Sequence, residues 1–426
     1  MPPSMRMRIG VLPMAGNETG RSGARWLSLI GLGEDGVAGL SDTAKLLLES
    51  AELVVGGKRH LMLVRDVVRG KQLCWPSPIS DAWPEITAWR GRPVVVLASG
   101  DPFFYGVGKQ LVKFVPVEEM LCLPQPSAFS LAASRLGWAL QDTALVTLHG
   151  RPLEAIIRHL QPGARILALS WNGKTPSDVA GLLVARGLGE ARITILEALG
   201  GPRERVVSGR ASELFCGETD DLNTIAIEVP AGACDVALSL SSGPDDDLFE
   251  NDGQLTKREI RAVTLSSLAP RAGEVLWDVG LGAGSIAIEW LLRHPSLKAF
   301  GIEERADRAE RAARNAAQLG TPDLAIVRGR APEAFSGLPS PDAVFIGGGM
   351  GDAGVFEAAW AALKPGGRLV ANAVALKTEM LVLDLFQRYG GDLVRLGVAR
   401  LKPVGGETVW NPGKPVTQWR VVKPCS

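Results

Sequence analysis

The chain has 426 residues, which is long for one hydrophobic core, so two or more domains are expected. Hydrophobic residues make up 46% and charged residues 22%, a globular composition without a long polar tract. Lys plus Arg and Asp plus Glu both total 46, so no overall basic field favours binding of nucleic acid or anionic lipid. Any polyanionic ligand therefore has to meet local positive charge.

The cysteines are scattered along the chain without a CxxC pair, and they are Cys74, Cys122, Cys216, Cys234 and Cys425. This spacing predicts neither a disulfide framework nor a zinc site, so we expect no bound metal and a cytoplasmic location. Residues 1–23 are expected to form a loose extension, because their apolar run is too short for a signal sequence. No other segment is an uninterrupted apolar span of membrane length.

In the first half, short apolar runs alternate with helical stretches, a pattern typical of α/β domains. The candidate strands are 26–30, 52–55, 94–98, 165–170, 193–197 and 224–229. Gly31, Gly33 and Gly36 match the dinucleotide motif GxGxxG after the first strand, but the next helix is expected only near Ser41. Its amides would then not point at a pyrophosphate held by the loop, which argues against a dinucleotide site.

The stretch from Pro230 to Gly253 is rich in Gly, Ser, Pro and Asp, a linker composition. After it we expect a helix from 256 to about 268 and then the strands 274–279, 299–303, 324–328, 343–346 and 368–371. This alternation predicts a mostly parallel sheet covered on both faces, with ligands at the carboxyl ends of its strands. The predicted organisation is an α/β domain over 24–230 with subdomains of about 24–118 and 119–230, a linker over 231–252, and a second α/β domain over 253–426.

The segment DVGLGAG, residues 278–284, follows a hydrophobic strand and opens a helix. Glu303 ends the next strand, where a carboxylate can accept hydrogen bonds from ribose hydroxyls, so these features describe an adenosine site. Ser285 replaces the last glycine of a dinucleotide loop, and the cationic sulfonium and ammonium of S-adenosylmethionine favour a carboxylate such as Asp278. The DxGxGxG spacing resembles class I, Rossmann-like methyltransferases dependent on S-adenosylmethionine. The resemblance implies cofactor contacts from Asp278, Gly280, Leu281, Gly282, Ala283, Gly284, Glu303, Arg330 and Ala331.

The substrate of this second domain is indicated by two segments. Phe345 to Gly349 lacks the Asn-Pro-Pro-aromatic pattern of enzymes that methylate amino groups of bases and glutamines. The segment TKREIR, residues 256–261, is a helix start with Thr256 as a plausible N-cap, or simply a solvated basic helix end. Followed by DVGxGxG, it resembles the decarboxylating precorrin methyltransferases over roughly 254–402, which implies that Thr256 reaches the cofactor. Candidates for binding substrate carboxylates are Lys257, Arg258, Arg261 and Arg330.

Three loops of the first half, at 99–106, 124–137 and 148–151, follow one another in the order found in the tetrapyrrole methylase family, the class III methyltransferases. The resemblance covers about 26–229 and implies that S-adenosylmethionine binds in a cleft between two α/β subdomains. Gly100 and Asp101 would approach the cofactor, and Ser127 and Ala128 would line its far side. Trp171 and residues 224–226 would close over the adenine.

Together the two resemblances imply a bifunctional enzyme of cobalamin synthesis. It would methylate carbons 5 and 15 of precorrin-6 and remove carbon dioxide from the ring C acetate to give precorrin-8. The first half would act on carbon 5, and the second half would act on carbon 15 and on the acetate. No catalytic residue is assigned, because enamine carbons are already nucleophilic. We expect a homo-oligomer with a precorrin substrate and without nucleic acid or membrane partners.

Alternative functions remain open from the sequence alone. One is a class I nucleic-acid methyltransferase with an accessory α/β domain, which the neutral charge and the missing Asn-Pro-Pro pattern oppose. Another is a catalytically silent sensor of the cofactor. A third is a nicotinamide-dependent oxidoreductase that uses the loop from Gly31 to Gly36.

Overall fold

The structure is a computed structural model that describes residues 25–213, 219–404 and 406–425. It divides into two compact units. The first contains the chain up to Leu140 together with Leu196–Val206, and the second contains Gln141–Ile195 and the chain from Val207 onward. The expected extension 1–23 and Cys216 lie outside the described residues.

The first unit contains a five-stranded parallel sheet with the order β3-β2-β4-β1-β5. Its strands are β1 Leu27–Leu32, β2 Leu53–Gly56, β3 Lys71–Cys74, β4 Val94–Ser99 and β5 Met120–Leu123. Its helices are α1 Asp42–Ser50, α2 Lys58–Leu63, α3 Trp83–Ala88, α4 Gly108–Leu111 and α5 Ala128–Leu136. The predicted strands at β1, β2 and β4 are confirmed, and these are the long apolar runs that burial on both faces of a parallel sheet demands. The helix α1 begins at Asp42, close to the predicted start near Ser41, and the Ser41 side chain caps it by accepting a hydrogen bond from the Ala44 amide.

A second five-stranded sheet has the order β6-β7-β10-β8-β9. Its strands are β6 Thr143–Thr147, β7 Arg165–Leu169, β8 Arg192–Glu197, β9 Arg205–Arg210 and β10 Asn223–Glu228, and its helix is α6 Thr175–Ala185. β7 runs parallel to β6 and antiparallel to β10. The sheet therefore differs in topology from the purely parallel first sheet.

The second unit also contains a seven-stranded sheet with the order β13-β12-β11-β14-β15-β19-β16. Its strands are β11 Val275–Val279, β12 Lys298–Glu303, β13 Ala325–Arg328, β14 Ala343–Ile346, β15 Arg368–Ala373, β16 Asp392–Leu396 and β19 Val416–Val422, and a separate hairpin is formed by β17 Ala399–Val404 and β18 Glu407–Pro412. The helices are α7 Arg258–Leu268, α8 Ser285–Arg293, α9 Ala306–Gln318, α10 Val355–Ala362 and α11 Leu376–Tyr389. The strands β11 to β15 pair in parallel, as predicted, whereas β19 pairs antiparallel with β15 and β16.

The prediction that Thr256 caps α7 is wrong. The helix begins at Arg258, and Lys257, in an extended conformation, occupies the N-cap position without a side-chain cap. The first helical hydrogen bond of this segment runs from the Arg261 amide to the Lys257 carbonyl at 2.8 Å. Thr256 therefore precedes the helix, and its side chain is not used as a cap.

The two sheets of the second unit share one hydrophobic core. A single cluster of buried side chains contains Ile156 and Leu183 beside the second sheet, Phe249 from the connecting segment, and Trp290 and Leu319 beside the seven-stranded sheet. The Arg158 guanidinium donates two hydrogen bonds of 3.1 Å to the carbonyl oxygen of Gly320, behind α9. The segment with linker composition thus contributes Leu238 and Phe249 to this core, whereas most of its other residues are exposed or half-buried.

Within the described ranges, no helix combines the length and the apolar character needed to cross a bilayer. The same residues contain no group of three or more His, Cys, Asp and Glu side chains that could hold a metal ion.

Candidate active site

The glycine loop between β11 and α8 is shaped by close backbone contacts. Gly280 has φ +76°, and a Cβ at this position would lie 2.9 Å from the backbone of Gly348. Gly282 has φ +57°, and a Cβ at this position would have no neighbour closer than 3.9 Å. The loop therefore presents bare backbone to the space beside it.

Two buried carboxylates flank this loop. Asp278 is the penultimate residue of β11 and accepts a hydrogen bond of 3.1 Å from the Ala287 amide. Burial raises the pKa of Asp278 to about 8, the amide opposes this rise, and the charge of Glu303 adds to it. Glu303 accepts hydrogen bonds from the amides of Gly282 at 2.8 Å and Arg305 at 3.0 Å. A cation placed beside Asp278 would favour its ionised form.

These groups open onto a cavity of about 480 Å³. The predicted cofactor residues that line it are Thr256, Asp278, Gly280, Leu281, Gly282, Ala283, Glu303, Arg330 and Ala331. Gly284 does not line the cavity and instead forms the N-cap of α8, with φ +80°. Lining residues that the sequence analysis missed include Ser285, Ile286, Arg305, Arg308 and Phe345. We call this cavity the loop pocket.

The basic residues that were predicted to bind substrate lie in different environments. Lys257 lines a second cavity and lies 3.5 Å from Asp246. Arg258 is exposed, pairs with Asp245 at 3.0 Å and lines neither cavity. Arg330 lines the loop pocket and lies 3.3 Å from Asp352.

Arg261 is fully buried, so the prediction that it binds substrate is wrong. Its guanidinium donates to the Glu289 carboxylate at 2.7 Å, and Glu289 is itself fully buried. Further hydrogen bonds connect it to Asp246 and to the carbonyl oxygens of Thr256 and Pro244. A guanidinium so enclosed fixes the start of α7 to the connecting segment and to α8, and it has no surface left for a substrate.

The second cavity, of about 380 Å³, lies beside the β17–β18 hairpin, and we call it the hairpin pocket. Both pockets are lined by Leu255, Thr256, Gly347 and Val374, so they adjoin. The cationic side chains that line the hairpin pocket are Lys257, Arg400, Lys402 and Lys414. The sequence analysis missed the last three, although the clustering of basic residues around 400–414 was a signal that could have identified them.

In the first unit, two of the predicted loops are in direct contact. Gly100 has φ +54°, and a Cβ there would lie 2.8 Å from the Pro126 carbonyl and 2.9 Å from the Ser127 Cα. Ser127 caps α5 by accepting a hydrogen bond of 3.1 Å from the Ser130 amide, with Ala128 as the first helical residue. The Asp101 carboxylate accepts a 2.8 Å hydrogen bond from the Phe103 amide.

The sequence analysis missed a polar cluster beside this loop. The Ser99 hydroxyl lies 2.9 Å from His60 Nε2 and 2.8 Å from an Arg59 Nη atom. Burial and the neighbouring Arg59 charge lower the pKa of His60 to about 4, so its imidazole is neutral at physiological pH. Trp171 belongs to the second unit, where its ring centroid lies 6.0 Å from that of His149. The expectation that Trp171 shares a cofactor site with Gly100 stays a prediction.

The family model of tetrapyrrole (corrin/porphyrin) methylases matches residues 27–214, and that of the precorrin methyltransferase domain matches residues 247–423. The chain is 54% identical to a precorrin-6Y C(5,15)-methyltransferase (decarboxylating) from a Sinorhizobium species, over 93% of this chain and 96% of the relative. The chain belongs to the precorrin-6Y C(5,15)-methyltransferase (decarboxylating) family. A Mycobacterium tuberculosis relative with the same name is 38% identical over 93% of this chain and 99% of its own length.

Among solved structures, the C-terminal domain of precorrin-6Y C5,15-methyltransferase from Rhodobacter capsulatus is 43% identical. It covers 44% of this chain and 100% of that chain, with a TM-score of 0.42. Membership of the family confirms the predicted fold class, a class III tetrapyrrole methylase region joined to a class I methyltransferase domain, and the predicted enzyme class. The two relatives and the two family models favour this enzyme over a nucleic-acid methyltransferase, a cofactor sensor or a nicotinamide oxidoreductase.

Proposed function

We propose that the chain uses S-adenosylmethionine to methylate carbons 5 and 15 of precorrin-6 and removes carbon dioxide from its ring C acetate, giving precorrin-8. The observation that carries this proposal is the 54% identity over 93% of the chain to an enzyme of that name. The two adjoining pockets support it, since one suits a nucleoside and the other suits a polyanion.

The loop pocket fits S-adenosylmethionine in its donor set. Glu303 is held by the Gly282 and Arg305 amides at the end of β12, where it can accept hydrogen bonds from ribose hydroxyls. Asp278 offers a buried carboxylate to a cation. When bound, the cofactor supplies an electrophilic methyl group, and transfer breaks its bond to sulfur and leaves the electron pair on S-adenosylhomocysteine.

Methyl transfer to carbon 15 depends mainly on placement. An enamine carbon of a reduced tetrapyrrole is already nucleophilic, so in-line alignment and exclusion of water provide most of the rate enhancement. Four uncharged residues border both pockets, and they are Leu255, Thr256, Gly347 and Val374. Because none of them can form an ion pair with a substrate carboxylate, they leave the substrate free to approach the methyl group. We therefore assign these residues to positioning, and no general base is required for the bond-forming step.

Decarboxylation depends on a difference in environment between the substrate carboxylates that are paired with cations and the one that is unpaired. The C–C bond to the carboxylate breaks, carbon dioxide leaves, and the electron pair stays on the methylene carbon, which takes a proton from water. Desolvation destabilises an unpaired carboxylate more than a transition state in which its charge is dispersing. We propose that the ring C acetate lies at the uncharged border between the pockets. A substrate complex with that acetate clamped by an arginine would disprove this assignment.

We assign methylation of carbon 5 to the first half, because the tetrapyrrole methylase model matches residues 27–214. The proposed cofactor contacts there are Gly100, Asp101, Ser127, Ala128 and Trp171. The test is turnover of precorrin-6 with ¹³C-methyl-labelled S-adenosylmethionine, followed by mass spectrometry and NMR of the product. Labelled methyl groups at carbons 5 and 15 with loss of one carbon dioxide are expected, and label at any other carbon would refute the proposal.

We further propose that the enzyme is a cytoplasmic homo-oligomer. Support for self-association comes from α11, where Leu376, Met380 and Leu383 expose apolar side chains at helical spacing. Free thiols at Cys74 and Cys122 suit a reducing compartment. Light scattering of the purified chain and cell fractionation test these two points, and a monomeric mass would refute the first.

A further inference from the structure

Part of the positive charge of the hairpin pocket comes from alternate residues of β17. Alternate residues of a strand share a face. Arg400 and Lys402 both line the pocket, whereas Leu401 between them is 55% exposed and pairs across the hairpin with Trp410. Asn411 lies opposite Arg400 and lines the pocket too. One face of the hairpin is therefore basic and polar, and it faces the cavity.

The cationic side chains that line this pocket differ in whether an acidic side chain is already paired with them. Lys257 lies near Asp246, and the Arg400 guanidinium donates to the Glu259 carboxylate. Among the residues that the structure describes, no ion pair is formed by Lys402 or Lys414, and no acidic side chain lines the hairpin pocket. In a chain with no net charge, this is a concentrated anion-binding surface.

The remaining lining shows what kind of anion fits. Leu255, Ile260, Val374, Val398 and Val416 form an apolar part of the wall. None of the cations belongs to the residues that line both pockets. The site therefore suits a ligand with an apolar body and carboxylates on its periphery, with the body reaching the loop pocket and the carboxylates held away from it.

We propose that Lys402 and Lys414 are the main carboxylate anchors for the macrocycle in the second domain, with Lys257 and Arg400 in supporting positions. This inference rests on the proposed function for the identity of the substrate. The lysines bind carboxylates remote from the reacting carbon, so they set substrate affinity and orientation rather than the chemistry. Their loss raises KM for decarboxylation and leaves the binding of S-adenosylmethionine unchanged.

The experiment uses the full chain with Lys402→Gln, Lys414→Gln and the double variant. Lys298→Gln is the matched control, because Lys298 is an exposed lysine at the start of β12, whereas the pockets lie at the carboxyl ends of the strands. A lost charge-assisted hydrogen bond corresponds to roughly a tenfold change, so we expect KM to rise about tenfold for each single variant. The double variant should show a larger rise, and Lys402→Arg should restore most of the affinity. Calorimetric titration with S-adenosylmethionine should give the same Kd for every variant.

Binding of an unreactive porphyrin polycarboxylate separates this inference from the proposed function. Fluorescence quenching should show binding to the wild type and to Lys298→Gln, a weaker complex with the double variant, and weakening of the wild-type complex by added salt. Such a result supports the anchors even if the chain fails to turn over precorrin-6. An unchanged KM together with unchanged porphyrin binding in the double variant would overturn the inference.

Discussion

Two glycine loops in this molecule look alike as sequence and differ in what their glycines do. In the first unit, a Cβ on Gly31 would lie 2.0 Å from the Gly100 carbonyl oxygen and 2.6 Å from the Gln125 amide. In the second unit, a Cβ on Gly282, which lines the loop pocket, would have no neighbour closer than 3.9 Å. Glycine at the first loop allows two backbone segments to pack, and glycine at the second leaves room for a ligand.

The helices that follow the loops show the same difference. After the first loop, α1 begins at Asp42, well beyond Gly36, and its first turn is capped by Ser41. After the second loop, α8 begins at Ser285, directly after Gly284. Only the second arrangement places the N-terminus of an α-helix next to the loop, because a single 3-10 turn, Gly36–Gly39, precedes α1 in the first. A motif match without this spacing is therefore a poor guide to a nucleotide site.

The largest effect that we expect is a difference in protein stability between substitutions in the two loops. Gly31→Ala should lower the free energy of unfolding by about 3 kcal/mol, because the added methyl group would overlap backbone atoms that have no room to move. Gly282→Ala should cost only about 1 kcal/mol, from its left-handed backbone conformation. Thermal and denaturant unfolding of both variants measures this contrast, and equal losses would remove the distinction between the loops.

A smaller effect concerns the carboxylate of the second loop. The pKa of Asp278 is raised to about 8 in the folded chain and is near 4 in an unfolded one, so the folded state holds a proton that the unfolded state has released. The contribution of Asp278 to the free energy of unfolding is fully present below pH 4 and is lost as the pH rises towards 8. Between pH 5 and 8, without cofactor, the wild type should lose about 1 kcal/mol per pH unit relative to Asp278→Asn. Parallel stability profiles for the two proteins would contradict the raised pKa.

The smallest effect tests the revised assignment of the basic segment. Arg258→Ala should change KM and kcat for decarboxylation by less than about twofold, because its pair with Asp245 is exposed and lines neither pocket. Steady-state kinetics of the full chain is the measurement. A KM effect as large as that of Lys402→Gln would return Arg258 to the substrate site.

The loop pocket could be predicted because its determinants are local. Asp278, the alternating glycines and Glu303 lie at the ends of consecutive parallel strands, and such strands meet at one edge of a sheet. The cationic side chains of the hairpin pocket are instead brought together by an antiparallel hairpin, β17–β18. The β18 strand is exposed throughout, so this hairpin lacks the buried apolar face that makes a strand recognisable in a sequence. Arg261 shows the same limit, because its burial depends on Glu289 from another helix, which local periodicity does not reveal.

The shared core of the second unit favours experiments on the full-length chain over experiments on separate halves. A cut near residue 240 would divide the core shared by Leu183, Phe249 and Trp290, so fragments are poor reporters of the separate activities. Full-length variants avoid this difficulty.

We propose that the chain has two cofactor sites, and that the domain with the Asp278 loop methylates carbon 15 and carries out the decarboxylation. Calorimetric titration with S-adenosylmethionine and product analysis of full-length Asp278→Asn test it most directly. We predict two binding sites in the wild type and one in the variant, with carbon 5 still methylated and methylation of carbon 15 reduced about a hundredfold. Undiminished methylation of carbon 15 by Asp278→Asn, or a single site in the wild type, would contradict this proposal.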